Sequence, residues 1–168
     1  MPRHGKEPLT FPDVPAEVEV TIEVPLLSIV KRKADMSVDY VSPIPCPFNY
    51  GSVPAIQADD GDPLDAVVLG RRLRTGHKGV HRVAAVAKVM DAGQIDDKLI
   101  CMAGDLATSG PARRLNAAEG VLIGSFFRVY AVGKSLLNTL RKKEGETRFD
   151  GILHYQPPND AGGGQTRA

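Results

Sequence analysis

The chain has no tryptophan, and aromatic residues make up only 5% of its 168 positions. That is poor material for the stacking platforms on which single-stranded nucleic acids lie. Charge of one sign is also missing. Twenty-one Lys and Arg face twenty Asp and Glu, leaving a formal net charge of +1, without the basic excess of a general nucleic-acid binder. Cys46 and Cys101 are the only cysteines and form no CxxC pair, which excludes a disulfide scaffold and favours a reduced, intracellular setting. No run approaches 18 consecutive apolar residues, and the polar stretch Met1 to Thr10 does not resemble a secretory leader. These absences predict a cytoplasmic protein with neither a membrane nor a nucleic-acid partner. The 42% of apolar residues is enough for one ordinary core, expected over residues 1–156, with a disordered tail at 157–168 around Gly162-Gly163-Gly164.

What the chain does have is aspartate in clusters. Thirteen of the twenty acids are Asp, and seven of them fall in two windows: Asp59, Asp60, Asp62 and Asp65, then Asp91, Asp96 and Asp97. The pattern around them is β-like. Val18, Val20, Ile22 and Val24 alternate with polar residues and predict a half-buried strand with Glu23 on its polar side. The proline-rich stretch from Ser42 to Pro54 excludes helix and predicts extended segments with turns. Ala66–Leu69, Val80–Val89, Leu99–Met102 and Thr147–Tyr155 read as further strands, so both Asp windows lie at strand edges. After residue 110 the period changes. Leu122, Phe126, Val129, Tyr130, Gly133, Leu137 and Leu140 predict one face of a long helix, opened by an Asn116/Glu119 capping box and closed by Arg141 to Lys143 and Gly145. Strands followed by a long helix predict an α+β domain built on an antiparallel sheet or barrel.

Asp60-Gly61-Asp62-Pro63-Leu64-Asp65 is, at its plainest, a turn, because Asp, Gly and Pro are ordinary turn residues. An apolar strand follows at once, however, and anchors the last carboxylate on a rigid element. Carboxylates this close raise one another's pKa unless a cation sits among them, and an all-oxygen donor set suits Mg, Mn or Ca rather than Zn. An EF-hand fails: counted from Asp60, Asp65 falls at the sixth position, where glycine is needed, and Arg71 at the twelfth, where glutamate is needed. His77 and His81 are four apart, but Gly76 and Gly79 interrupt the helix that this spacing would need for a metal pair. Magnesium commonly shares its shell with substrate phosphates. Lys31, Lys98, Tyr50 and Tyr130 are cations and donors available to such a substrate.

These residues resemble soluble inorganic pyrophosphatases of the first family. The resemblance is carried by Asp60 to Asp65 and by Asp91-Ala92-Gly93-Gln94-Ile95-Asp96-Asp97-Lys98. It is supported by Ile22-Glu23-Val24-Pro25, Lys31, the Pro47-Phe48-Asn49-Tyr50-Gly51 turn and Phe126-Phe127 before Tyr130. It implies an OB-like five-stranded antiparallel β-barrel with flanking helices and Mg2+-dependent hydrolysis of pyrophosphate, with several ions per site and Mn2+ as a substitute. It further implies metal ligation by Asp60, Asp65, Asp91 and Asp96 with support from Glu23, proton abstraction by Asp62, and phosphate contacts from Lys31, Tyr50, Lys98 and Tyr130. Self-association is implied too, since bacterial members are often hexamers. The chain departs from the family pattern at Lys33, at Tyr40 or Val38, where an arginine is expected, and at Ala131, where a lysine usually follows the tyrosine. Lys134, one helical turn beyond Tyr130, is the replacement expected to reach the same phosphate.

Overall fold

A computed structural model describes residues 14–33, 35–58, 60–103 and 113–155. The expected tail at 157–168 and Asp59 lie outside the described residues. Strand β1 (Glu17–Val24) follows the predicted alternation, with Val18, Val20 and Ile22 all under 7% exposed. A small hairpin, β2 (Val30–Arg32) and β3 (Val38–Val41), precedes β4 (Asn49–Gln57), β5 (Pro63–Leu69), the long β6 (Lys78–Asp91), β7 (Gln94–Ile95) and β8 (Lys98–Met102). Helix α1 (Ala117–Leu140) and β9 (Arg148–His154) complete the described elements.

Strands β1, β4, β5, β8 and β6 pair in that order, and β6 returns to β1, closing a five-stranded barrel. The expectation of an antiparallel barrel needs one correction, because β5 and β8 run parallel, with Ala66 beside Leu99 and Val68 beside Cys101. A closed ring of five strands cannot alternate direction all the way round, so one neighbouring pair must be parallel. Alternate residues fill the interior with Val18, Val20, Val53, Ala66, Val68, Val86 and Leu99. The opposite faces of the strands, with Phe48, Val67, Ala87 and Ile100, form a second apolar layer beneath α1. Gly51 permits the tight crossing of β1 over β4, since a Cβ there would stand 2.0 Å from the Thr21 carbonyl oxygen. The segment read as a turn at Asn49 to Gly51 is therefore the start of a strand. Asn49 is buried there and uses its whole amide: Nδ2 donates to the Val68 and Arg71 carbonyls, and Oδ1 accepts from the Leu26 and Leu73 N–H groups.

The capping box is present. The Glu119 N–H donates to Asn116 Oδ1 at 2.8 Å and the Asn116 N–H to Glu119 Oε2 at 2.9 Å, an arrangement worth about 1 kcal/mol. The helix face differs from the expectation. Ile123, Phe127 and Ala131 are buried on the barrel, whereas Leu122, Val129 and Leu140 are exposed. The helix is apolar on nearly every side, so spacing alone does not set its phase. The Phe127 ring, stacked 5.9 Å from Phe149 and 6.2 Å from Phe48, shows which side docks. The helix end also differs: Lys142, directly after the C-cap Arg141, takes the left-handed conformation (φ 53°) that ends the helix, and Gly145 (φ 105°) lies three residues further on. Gly145 answers instead to the Ala92–Gly93 turn, whose backbone comes within 2.4 Å of where its Cβ would be. Among the described residues α1 is the single helix, so the further flanking helices expected are not among them.

Candidate active site

The outer faces of β4, β5 and β8 converge beside α1. Asp65 projects there from β5, opposite Ser52 in the β4 register. Its Oδ2 accepts from the Tyr50 hydroxyl at 2.6 Å and from Lys98 Nζ at 2.8 Å. The same Lys98 Nζ donates to Asp96 Oδ1 at 2.9 Å. Lys98 is 1% exposed, so its charge is held almost wholly by these two carboxylates, one from each Asp window. Burial alone would lower the Lys98 pKa, but Asp65 and Asp96 outweigh it and hold it above the usual lysine value. Burial pushes Asp65 up, and Lys98 and Tyr50 more than reverse that, leaving it below the ordinary carboxylate range. Asp96 goes the other way: burial, with the charge of Asp65 adding to it, outweighs Lys98 and raises its pKa. Burial and the neighbouring Asp65 keep the Tyr50 hydroxyl protonated far above its normal pKa.

Two further groups flank this centre. Glu23, at the end of β1, accepts from Ser52 Oγ at 2.7 Å through Oε1 and pairs with Lys31 at 3.3 Å through Oε2. Lys31 also feels the charge of Asp65, so this group lies beside the first. On the other flank Asp91, at the end of β6, accepts from Lys134 Nζ at 2.6 Å and Asn138 Nδ2 at 2.7 Å, and from the Thr147 hydroxyl at 3.2 Å. Burial raises Asp91, but the bonds from Lys134 and Asn138 prevail and lower its pKa. Lys134 Nζ lies 5.8 Å from the Tyr130 ring centroid, so the helix contributes both groups to one edge of the site.

The donor set for a cation is carboxylate oxygen throughout. Among the described residues no three His, Cys, Asp or Glu side chains stand close enough together to hold a metal ion. Instead, lysine nitrogens lie against the carboxylates, and Lys98 Nζ marks a point where two of them call for positive charge. Such a set fits a hard divalent ion such as Mg2+ or Mn2+.

A sequence model of the family described as inorganic pyrophosphatase matches residues 19–151. The chain belongs to the inorganic pyrophosphatase family. It is 35% identical over 85 residues to an inorganic pyrophosphatase of Haemophilus influenzae, covering 49% of this chain and 48% of that one. It is 32% identical over 106 residues to that of Aquifex pyrophilus, covering 58% of this chain and 56% of that one. The chain thus spans about half the length of the curated relatives it matches. A crystal structure of an inorganic pyrophosphatase from Neisseria gonorrhoeae superposes with a TM-score of 0.64 at 27% identity over 83% of each chain. That from Thermus thermophilus superposes at 0.67 and 23% identity over 90% of this chain and 88% of that one, a likeness of fold.

Of the residues that sequence singled out in this pyrophosphatase-family chain, Glu23, Lys31, Tyr50, Asp65, Asp91, Asp96, Lys98, Tyr130 and Lys134 gather around one face. Asp60 and Asp62 do not join them through any ion pair among the described residues. They are exposed on the turn before β5, where Asp60 Oδ1 accepts the Asp62 N–H at 3.0 Å and Gly61 takes φ 88°. Asp97 leaves the cluster altogether: it is 4% exposed, its Oδ1 accepts the Val89 N–H at 3.2 Å, and it pairs with Lys88. The departures also find places. Ala131 is buried on the barrel, and Lys33 belongs to the turn between β2 and β3. Tyr40 sits opposite Lys31 in the hairpin register. Sequence reading missed Ser52, Asn138 and Thr147. The first carried a usable signal, since two residues beyond Tyr50 on one strand it must share Tyr50's face.

Proposed function

We propose that this chain hydrolyses inorganic pyrophosphate to two phosphates with Mg2+, Mn2+ being an alternative. The observation that carries the reading is Lys98, buried between one carboxylate from each Asp window with the Tyr50 hydroxyl on the same Asp65 oxygen. Asp65, Asp96 and Asp91, with Asp60 from the turn and Glu23 in support, are the residues that would hold divalent ions. When bound, those ions lower the pKa of water toward neutrality and offset phosphate charge. Asp62, exposed and unpaired among the described residues, takes the proton of the attacking water. The water oxygen bonds to one phosphorus, the bridging P–O bond breaks, and the second phosphate leaves with the electron pair. Lys31, Lys98 and Lys134, with the Tyr50 and Tyr130 hydroxyls, orient the phosphates and stabilise the charge that develops on the leaving one. The substrate is a small polyanion, in keeping with the absence of a basic excess, and a cytoplasmic setting is part of the proposal.

Phosphate release from pyrophosphate is measured with Mg2+ and again with EDTA, beside the Asp62→Asn variant. Mg2+-dependent turnover that falls about a hundredfold or more in the variant supports the reading. Metal-dependent phosphate binding without turnover replaces it with a relative that acts on another phosphoanhydride or only binds phosphate. Self-association is proposed as well, supported by the exposed apolar stripe Val121, Val129, Val132, Leu136 and Leu140 along α1. Sedimentation of the chain as a monomer at micromolar concentration removes that part.

A further inference from the structure

The run His77-Lys78-Gly79-Val80-His81 enters β6 beside Ile22 of β1, where the Ile22 N–H donates to the His77 carbonyl at 2.9 Å. No helix carries this spacing, which runs from a loop into a strand. On a strand the period is two, and residues 77, 79 and 81 share one side. The register places His81 opposite Val18 and Gly79 opposite Val20, so this side is the one that faces the barrel interior. Gly79 brings no side chain to it. The point where a Cβ would stand is 3.0 Å from His77 Nε2 and 3.2 Å from His81 Nε2, so two imidazole nitrogens converge on a single cradle that only glycine leaves open.

His81 is 6% exposed, and neither Nδ1 nor Nε2 has a hydrogen-bond partner among the described residues. A buried polar group left this way costs about 1–3 kcal/mol, so the fold carries a ring nitrogen that calls for a ligand. Burial, with His77 adding to it, lowers the His81 pKa, which keeps the imidazole neutral and a lone pair available. His77 is exposed and opens the cradle to solvent.

We propose that His77 and His81 form a second cation site, through their Nε2 atoms with water completing the shell, for a borderline divalent ion of the zinc class. Imidazole nitrogen favours Zn2+, Ni2+ or Cu2+ over Mg2+, whereas the carboxylate face has the reverse preference. The two sites therefore differ in chemistry and lie on different faces of the barrel wall. An ion held here joins the loop before β6 to the seam where β6 meets β1, and by binding the folded state it raises stability by mass action.

The test is Zn2+ binding to the full chain in excess Mg2+, followed by equilibrium dialysis with metal analysis. One Zn2+ per chain is expected, with affinity falling at least about tenfold in His77→Ala, a change at an exposed residue that leaves the core intact. Gly79→Ala, which fills the cradle, is expected to do the same, while Asp65→Ala keeps the ion. Equal Zn2+ binding by the parent and His77→Ala overturns the site, as does loss in Asp65→Ala alone. With Cu2+ as probe, electron paramagnetic resonance is expected to show coupling to two nitrogens, reduced to one in His77→Ala. A spectrum unchanged by that substitution is equally decisive against it.

Discussion

The carboxylates on strands and those on the turn before β5 are the same side chain in opposite circumstances. Asp65 within β5, Asp91 at the end of β6 and Asp96 between β7 and β8 are each clasped by a lysine between 2.6 and 2.9 Å away. Asp60 and Asp62, a few residues from Asp65, are exposed and, among the described residues, tied only by the hydrogen bonds of their own turn. Under the proposed function the difference separates two tasks, Asp60 being the exception as a cation ligand carried on the turn. Groups that fix a cation benefit from rigid elements and satisfied neighbours, whereas a base that takes a proton from water must reach solvent and have its oxygens free.

Substitution across this divide should separate activity from stability. Asp62→Asn is expected to lower turnover by about two to four orders of magnitude, with the thermal midpoint unchanged, since it touches no packed group. A shifted midpoint with turnover preserved would reverse the assignment of turn and strand. Lys98→Met should do the opposite to the fold. Leaving Asp65 and Asp96 facing each other costs about 3 kcal/mol in urea unfolding, and added Mg2+ should recover part of it by taking the place of the ammonium. No recovery would show that lysine and metal do not compete for one location.

A smaller effect distinguishes the two carboxylates that share Lys98. The folded state lowers the Asp65 pKa, so Asp65 adds stability above its unfolded pKa of about 3.9 that is lost as the pH falls through the lower folded value. The folded state raises the Asp96 pKa, so its contribution is present below about 3.9 and is lost as the pH rises through the folded value. In metal-free buffer, Asp65→Asn should therefore flatten the acid limb of the stability profile, and Asp96→Asn should remove a loss seen above it. Identical profiles for the two variants would refute the opposed roles. Smallest of all, Lys134→Ala should raise the KM for pyrophosphate several-fold with kcat little changed, as expected of a group that binds ground and transition states alike. An unchanged KM assigns that phosphate to another cation.

Sequence reading succeeded where a local rule was sufficient. Period two located β1, short apolar runs located β5, β6 and β8, and the Asn116/Glu119 spacing placed the start of α1 to the residue. It fell short where only tertiary packing decides. The docking phase of α1 depends on which phenylalanine meets Phe48 and Phe149, and a helix apolar all round leaves that open. Asp97 belongs to the second window by sequence, but it lies in the link between β7 and β8 with its side chain turned to Lys88 and the Val89 amide, which spacing alone does not tell. No helix carries the His77/His81 pair, as Gly76 and Gly79 predict; His77 lies just before β6 and His81 within it.

The missing tryptophan has a practical sequel. Intrinsic near-ultraviolet emission must come from four tyrosines, and of these Tyr50 donates to Asp65, Tyr130 lies beside Lys134, and Tyr40 faces Lys31 across the hairpin. The phenol of Tyr50 is tethered to a carboxylate, an arrangement that quenches its light until the bond is broken. Whatever loosens the Asp65 oxygen, be it ion, substrate or acid, should brighten the molecule. The chain carries its own optical gauge at the place where its chemistry is proposed, with no indole elsewhere to drown the signal.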